Sequence, residues 1–180
     1  MVDYDFEFSV ILARNELGEM VCYPPCRNVH KGGILRETFW PLSNGKDIDR
    51  RFSEEEAFKC TKKIAEHLNV VGLLTVEFFF TKDGRILFNE IAPRAHNSGH
   101  VTMGGAAYTS QFEQHIRSIC GMPFGSTEPR NGGGHMINIL GNGDLYDAEI
   151  QVPHSKVHWY GKVPRGDEHQ KLGHIVRTNW

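Results

Sequence analysis

An α+β fold is predicted for this 180-residue chain: strands paired in hairpins, helices packed on them, and a small all-β unit at the end. Three observations carry that expectation. Alternating stretches such as "YDFEFSVILAR" read as strands, two segments repeat apolar residues at helical spacing, and past Pro123 the texture changes to short β candidates between Gly-rich turns. With 39% hydrophobic and 11% aromatic residues the chain can bury a core as one domain, or as a domain plus an appendage.

In chain order, residues 4–14 form the first strand, and "NELGE" turns it into "MVCYP" as a hairpin. After "NVHKGG", the stretch "ILRETFWPL" reads as extended and is closed by Pro41 and the polar "SNGKD". A helix over 53–68 follows from Ala57, Cys60, Thr61, Ile64, Ala65 and Leu68 on one face, with Ser53 and Glu56 as a capping box. A second helix over 109–120 is expected to turn Phe112, Ile116, Ile119 and Cys120 inward, with Gly121 as its stop. A boundary is placed near residue 125. Residues 1–124 are the α+β part, and residues 125–180 supply strands in "HMINILG", "SKVHWYG" and "HIVRTNW", packed on the first part because alone they would bury little.

The net charge of -2 comes from 20 basic and 22 acidic residues spread along the chain, which argues against nucleic acid and anionic membrane as partners. No apolar run approaches a membrane span, and "MVDYDFEFSV" lacks the pattern of a signal peptide, so a cytoplasmic protein is expected. The cysteines Cys22, Cys26, Cys60 and Cys120 show no C-x-x-C pair and are expected to be reduced.

The chemistry concentrates between the helices, in "EFFFTKDGRILFNEIAPRAHNSGH". Asp83-Gly84 suits a two-residue type I′ loop. That loop would place Glu77 directly opposite Glu90 on one face of the hairpin, with Cβ atoms about 4.5–5.5 Å apart. Like charges so placed repel, and two facing carboxylates suit Mg²⁺ held together with substrate phosphates. A longer loop would instead move Glu90 off Glu77, or Lys and Arg side chains would neutralise both. Beyond Glu90, Pro93, Ser98 and Gly99 argue against a helix, so "NEIAPRAHNSGH" reads as a site loop leaving a strand end. Arg94 suits bidentate grip of an anion, and His96 and Asn97 suit hydrogen bonding to a carboxylate or amine. The alternative is a solvated polar loop. His96 and His100 would recommend zinc on a helix, but Asn-Ser-Gly between them breaks one.

These residues, with "EFSVILAR", "YPPCRNVHKGGIL", "TSQFEQHIRSICGMPFG" and "KLGHI", resemble the 5-(carboxyamino)imidazole ribonucleotide synthase family of ATP-grasp enzymes in purine biosynthesis. The resemblance covers essentially the whole chain and is to the family's C-terminal half. It implies the C-terminal part of an ATP-grasp domain, an antiparallel sheet with packed helices, followed by a small all-β barrel or sandwich-like domain. It also implies ATP and Mg²⁺, with 5-aminoimidazole ribonucleotide and bicarbonate joined through carboxyphosphate, and a homodimer in the full-length enzyme. Carried over, Glu77 and Glu90 would hold Mg²⁺ with Asn89 beside them, and Glu7 and His30 would contact the nucleotide. Arg94, His96 and Asn97 would line the ribonucleotide and carboxylation pocket as its catalytic residues, with Lys162 and Lys171 at the ribonucleotide phosphate. One departure is Gln170, where the family usually has Arg before the second Lys; Arg165 nearby is a substitute. The family's preceding domain and first ATP-grasp half are not in this sequence, so the chain by itself is expected not to turn over. Alternatives from the same reading are a formate-dependent glycinamide ribonucleotide transformylase-like ligase, a non-catalytic nucleotide-binding or association module, and a zinc hydrolase using His96, His100 and Glu90.

Overall fold

The computed structural model describes residues 2–44, 48–141, 152–167 and 169–178. Among them nine strands form one antiparallel sheet: β1 (Tyr4–Arg14), β2 (Met20–Cys22), β3 (Cys26–Lys31), β4 (Ile34–Trp40), β5 (Gly72–Thr81), β6 (Ile86–Ala92), β7 (Gly134–Leu140), β8 (Ser155–Trp159) and β9 (Lys171–Arg177). Their spatial order is β6-β5-β1-β3-β4-β7-β9-β8, with β2 beside β1. Two helices, α1 (Glu54–His67) and α2 (Gln111–Ile119), pack on it. The predicted hairpin of β1 and β2 is present, with Leu12 opposite Cys22. Strand β3 lies in the segment that sequence reading left unassigned. The end of "HIVRTNW" and part of "SNGKD" fall outside the described residues. No helix among the described residues is long and apolar enough to cross a membrane.

Among the described residues, the strands expected to make a barrel or sandwich-like unit continue the first sheet. Strand β7 pairs with β4, matching Glu37 to Ile137 and Trp40 to Gly134, so β7, β9 and β8 extend the same sheet. Pairing satisfies the edge of β4, which a separate barrel would leave open.

Period-two alternation in the central strands decides what each face does. From β1, Phe6, Phe8, Val10 and Leu12 point to one side, where they meet Leu74, Val76, Phe78 and Phe80 of β5 and Ala57 and Ala65 of α1. Phe8 is fully buried, stacked on Phe78 at 5.1 Å and edge-on to Phe52 at 5.0 Å. Replacing Phe8 by Ala should therefore cost about 3–5 kcal/mol, read as a lower urea midpoint with an unchanged slope. On the opposite side Ile11 and Ala13 join Tyr23, Trp40, Leu73, Val101 and Met136 in a second core. At the other end of that same face the strands carry Glu7, Ser9 and Glu77, and Ser9 sits directly opposite Glu77.

Helix α1 starts as expected, with the Ser53 hydroxyl accepting from the Glu56 N–H at 3.3 Å. Its inner face holds Ala57, Thr61 and Ala65, with Cys60 and Ile64 partly buried, but Leu68 at the C-cap is exposed.

Helix α2 overturns the expectation for its orientation. Phe112, Ile116, Ile119 and Cys120 face outward, while Gln111, Gln114 and Ser118 are buried. The reason is hydrogen bonding. Gln114 accepts from Gly125 N–H and donates to Gly125 C=O, both at 2.9 Å, and Gln111 does the same for a loop described below. Buried backbone groups of two irregular segments need partners, and the helix supplies them from its polar side.

Candidate active site

The β5–β6 hairpin turns through three residues, Lys82 to Gly84, because Thr81 N–H bonds Arg85 C=O and only Gly84 takes a positive φ. The two-residue type I′ loop is thus corrected to a longer one, which by itself would offset the register. A β-bulge restores it: Phe78 pairs with Phe88, yet Glu77 pairs with Glu90, leaving Asn89 as the extra residue. Glu77 and Glu90 do face each other, through two offsets that cancel.

They open into a cavity of about 540 Å³ lined by Tyr4, Glu7, His30, Gly32, Gly33, Leu35, Glu77, Phe79, Asn89, Glu90, His96, Asn97 and Lys171. Eight predicted positions therefore converge: Glu7, His30, Glu77, Asn89, Glu90, His96, Asn97 and Lys171. Two do not line it. Arg94 is exposed, and its guanidinium donates to Ala95 C=O at 3.0 Å. Lys162 lies over the Tyr160 ring at 5.4 Å and lines a neighbouring depression with Val163, Arg165 and Gln170. There Gln170 accepts from Arg165 N–H and donates to Val163 C=O, both at 2.9 Å, so its amide shapes the loop bearing Arg165.

Sequence reading missed Tyr4, Phe79, Leu35 and Gly32-Gly33. Tyr4 donates to Glu7 at 2.7 Å and packs on Phe79 at 4.7 Å; strict alternation would put Tyr4 on the Phe6 face, and an irregularity in the β1–β5 register between Tyr4 and Phe6 brings it to the Glu7 side, which periodicity in the sequence does not signal. It also missed Asn138, a buried polar residue within the apolar run of β7. Asn138 exchanges amide hydrogen bonds with Asn97 at 2.6 and 3.1 Å and donates to Leu35 C=O, so the third part of the sheet holds the site loop in place. A polar residue in "HMINIL" was the only trace of it.

Electrostatics follow from burial. Removal from water pushes the Glu77 carboxyl up to about 7; repulsion from Glu90 and then Glu7 adds to this, and Lys171 opposes it. Burial, then the positive charges of Arg94 and Lys171, hold His96 down at about 4, so its ring is neutral near pH 7. Ser98 N–H points at His96 Nδ1 from 3.3 Å, which assigns the proton of the neutral ring to Nε2. That nitrogen lies 3.3 Å from Glu77 Oε1. Behind it, His96 Nδ1, Ser98 Oγ and Ser9 Oγ follow one another at 2.8 Å, with Asn28 donating to Ser9. His30 Nδ1 and Glu7 lie 2.6 Å apart, off hydrogen-bond direction.

Ligand atoms of Glu77, Glu90 and His96 all lie within 4.8 Å of one another. With Nε2 protonated, His96 is a donor, which leaves the two carboxylates as hard oxygen ligands whose mutual repulsion a divalent cation would relieve. That donor set fits Mg²⁺ and is a poor match for zinc, which favours nitrogen and sulfur.

Comparison with known proteins places this geometry. Residues 1–112 match the ATP-grasp domain model, and residues 135–179 match the phosphoribosylaminoimidazole carboxylase C-terminal domain model. The chain is 44% identical over 177 residues to N5-carboxyaminoimidazole ribonucleotide synthase of Vibrio cholerae, covering 98% of this chain and 44% of that protein. Against the Bacillus subtilis protein of the same name it is 40% identical over 179 residues, covering 97% of this chain and 44% of the relative. The chain thus spans under half the length of the curated relatives it matches. Among solved structures, N5-carboxyaminoimidazole ribonucleotide synthetase of Thermus thermophilus superposes with a TM-score of 0.87 at 39% identity, over 99% of this chain and 47% of that one. The Aspergillus clavatus synthase, solved with ADP and 5-aminoimidazole ribonucleotide, gives 0.85 at 29% identity over 99% and 47%. The match to the ATP-grasp model over most of its residues, and the identity carried along nearly all of its length, mean that the chain belongs to the ATP-grasp family, in the branch of the N5-carboxyaminoimidazole ribonucleotide synthases.

Proposed function

We propose that this chain contributes the metal-binding and ribonucleotide-binding part of an ATP-dependent carboxylase acting on 5-aminoimidazole ribonucleotide. The observation that carries the reading is the Glu77–Glu90 pair, opposed across the hairpin inside a cavity that also presents His96, Asn97 and Lys171. In the reaction, a bicarbonate oxygen attacks the γ-phosphorus of ATP and ADP leaves. The exocyclic amine then attacks the carboxyl carbon of carboxyphosphate, phosphate leaves, and the amine loses a proton.

Glu77 and Glu90 would hold Mg²⁺, which when bound offsets negative charge on the phosphates. Lys171, whose ammonium burial makes easier to deprotonate, brings a positive charge toward anionic groups of the substrates. His96 directs its Nε2–H at Glu77 and keeps that carboxylate oriented. Asn97, fixed by Asn138, presents its remaining amide capacity to the ribonucleotide side. Arg94, outside the cavity wall and in no ion pair among the described residues, would reach the carboxyl or phosphate from the rim. Lys162 and Arg165 would take the ribonucleotide phosphate in the neighbouring depression, with Gln170 shaping the loop between them. Residues 1–124 and 125–180 act in this reading as the two family units, although their strands share one sheet. Because the relatives are more than twice as long, turnover is expected of the complete gene product and not of these residues alone.

The test is ADP release by the complete gene product, omitting 5-aminoimidazole ribonucleotide, bicarbonate and Mg²⁺ in turn. Release that requires Mg²⁺ and is stimulated by both substrates supports the reading. Release stimulated by formate with glycinamide ribonucleotide would replace it with the transformylase, and nucleotide binding without any release would leave a binding module.

A further inference from the structure

Gln111, the first residue of α2, is fully buried, does not itself line the cavity, and directs its whole carboxamide at the loop that does. Its Oε1 accepts from His96 N–H at 3.0 Å, and its Nε2 donates to His96 C=O at 2.8 Å. Nε2 also lies 2.8 Å from His100 Nδ1. The backbone N–H of Gln111 donates to Thr102 Oγ1 at 2.9 Å, and that hydroxyl donates to Gly99 C=O at 2.7 Å. One side chain thus clips both polar groups of a single residue in an irregular segment, where no strand or helix could do so.

Gly99 is an independent sign of the same clip. Its φ lies outside the left-handed region that favours glycine, so its backbone does not require the absence of a side chain. A Cβ there would fall 2.3 Å from Gln111 Oε1 and 2.6 Å from its Cδ. The clearance exists for the carboxamide. The clip also reaches the C-terminal part of the sheet, since the His100 ring stacks on His174 of β9 at 4.9 Å, and Lys171 at the start of β9 lines the cavity.

We propose that Gln111 is a positioning residue for the proposed carboxylation: it holds the His96 peptide so that the imidazole faces Glu77 and Asn97 meets Asn138 before substrate arrives. This rests on the reading given above. Gly99 serves it by leaving room.

The experiment uses Gln111→Ala, Gln111→Met, Gly99→Ala and the Gly99→Ala/Gln111→Ala pair in the complete gene product. Gln111→Met keeps the length of the side chain if the smaller replacement fails to fold. In the Gln111 variants, kcat/KM for 5-aminoimidazole ribonucleotide should fall about a hundredfold while KM for ATP moves less than about twofold, because a loop displaced by an ångström loses orientation rather than nucleotide affinity. Gly99→Ala should reproduce that loss, and the pair should be no worse than Gln111→Ala alone, since the clash vanishes with the side chain. Hydrogen exchange across residues 94–100 gives a readout independent of turnover: protection at His96 N–H should disappear in the Gln111 variants and persist in β5. Additive losses in the pair, equal changes in both KM values, or unaltered exchange at His96 would each overturn the proposal. A wild-type protein without ribonucleotide-stimulated ADP release would sink the carboxylase reading, and with it the role of the clip in that reaction, while exchange would still decide whether Gln111 holds His96.

Discussion

Glu77→Gln or Glu90→Gln in the complete gene product should lower substrate-stimulated ADP release by at least about a hundredfold, the scale expected when a preorganised charge is removed from a phosphoryl-transfer site. Stability should move the other way for Glu77. Its carboxyl is pushed up to about 7 by burial and by Glu90 and Glu7, so above that pH the folded protein holds a carboxylate in a place that resists it. Removing the charge should leave the protein unchanged or more stable by about 1–3 kcal/mol at pH 8, seen as a higher thermal midpoint. A variant that loses activity and stability together would instead make the pair a structural feature. One that keeps full Mg²⁺-dependent release would remove the pair from the proposed site.

The second large effect is a loss of stability in mild acid. Burial holds His96 and His100 at about 4 and His174 at about 3, against about 6.5 in an unfolded chain. The unfolded state therefore binds protons first as pH falls. The stabilisation is complete above about pH 6.5 and is lost progressively toward the folded values, at about 1.4 kcal/mol per pH unit for each proton. Glu77 opposes this, because its raised carboxyl takes up a proton in the folded state near 7 and the unfolded state does so only near its ordinary value. Three imidazoles against one carboxyl leave a net loss of about 2–3 kcal/mol per pH unit at most between roughly 6.5 and 4.5. The thermal midpoint should drop by several degrees between pH 7.5 and 5.5, and less in His174→Phe, which removes one of the titrating rings. A flat midpoint over that range would show that the imidazoles reach solvent.

The imidazoles also show why the histidines resisted sequence reading. His174 stacks with His100 at 4.9 Å and with His158 at 4.7 Å, while its Nδ1 meets Tyr160 OH at 2.7 Å. These rings come from the loop after β6, from β8 and from β9, far apart in sequence. Nothing local to any one of them distinguishes a stacked, buried imidazole from a surface one.

Much of the local architecture could be read from residues alone, because it rests on short-range physics. The strand at "YDFEFSVILAR" and the Ser53 cap depend mainly on neighbours in the chain, and both are present. The pairing of Glu77 with Glu90 was also expected, although the loop and the bulge at Asn89 each depart from the simple hairpin. The residues expected at the nucleotide and metal, Glu7, His30, Asn89 and Glu90, share the cavity because β1, β3 and β6 present them to the same face.

Tertiary structure alone decided the rest. Apolar residues on α2 at helical spacing pointed to the core by pattern, but the backbone of two irregular segments needed hydrogen bonds, and the side bearing Gln111 and Gln114 went inward to supply them. A change of composition near residue 125 suggested a small β unit packed on the first part, and only the fold decided how it attaches: β7 pairs along the edge of β4 and delivers Asn138 to the site loop. Sequence determined which faces were apolar and where turns could form. Partners for buried polar groups are chosen across the whole fold, since a hydrogen bond depends on distance in space and not along the chain.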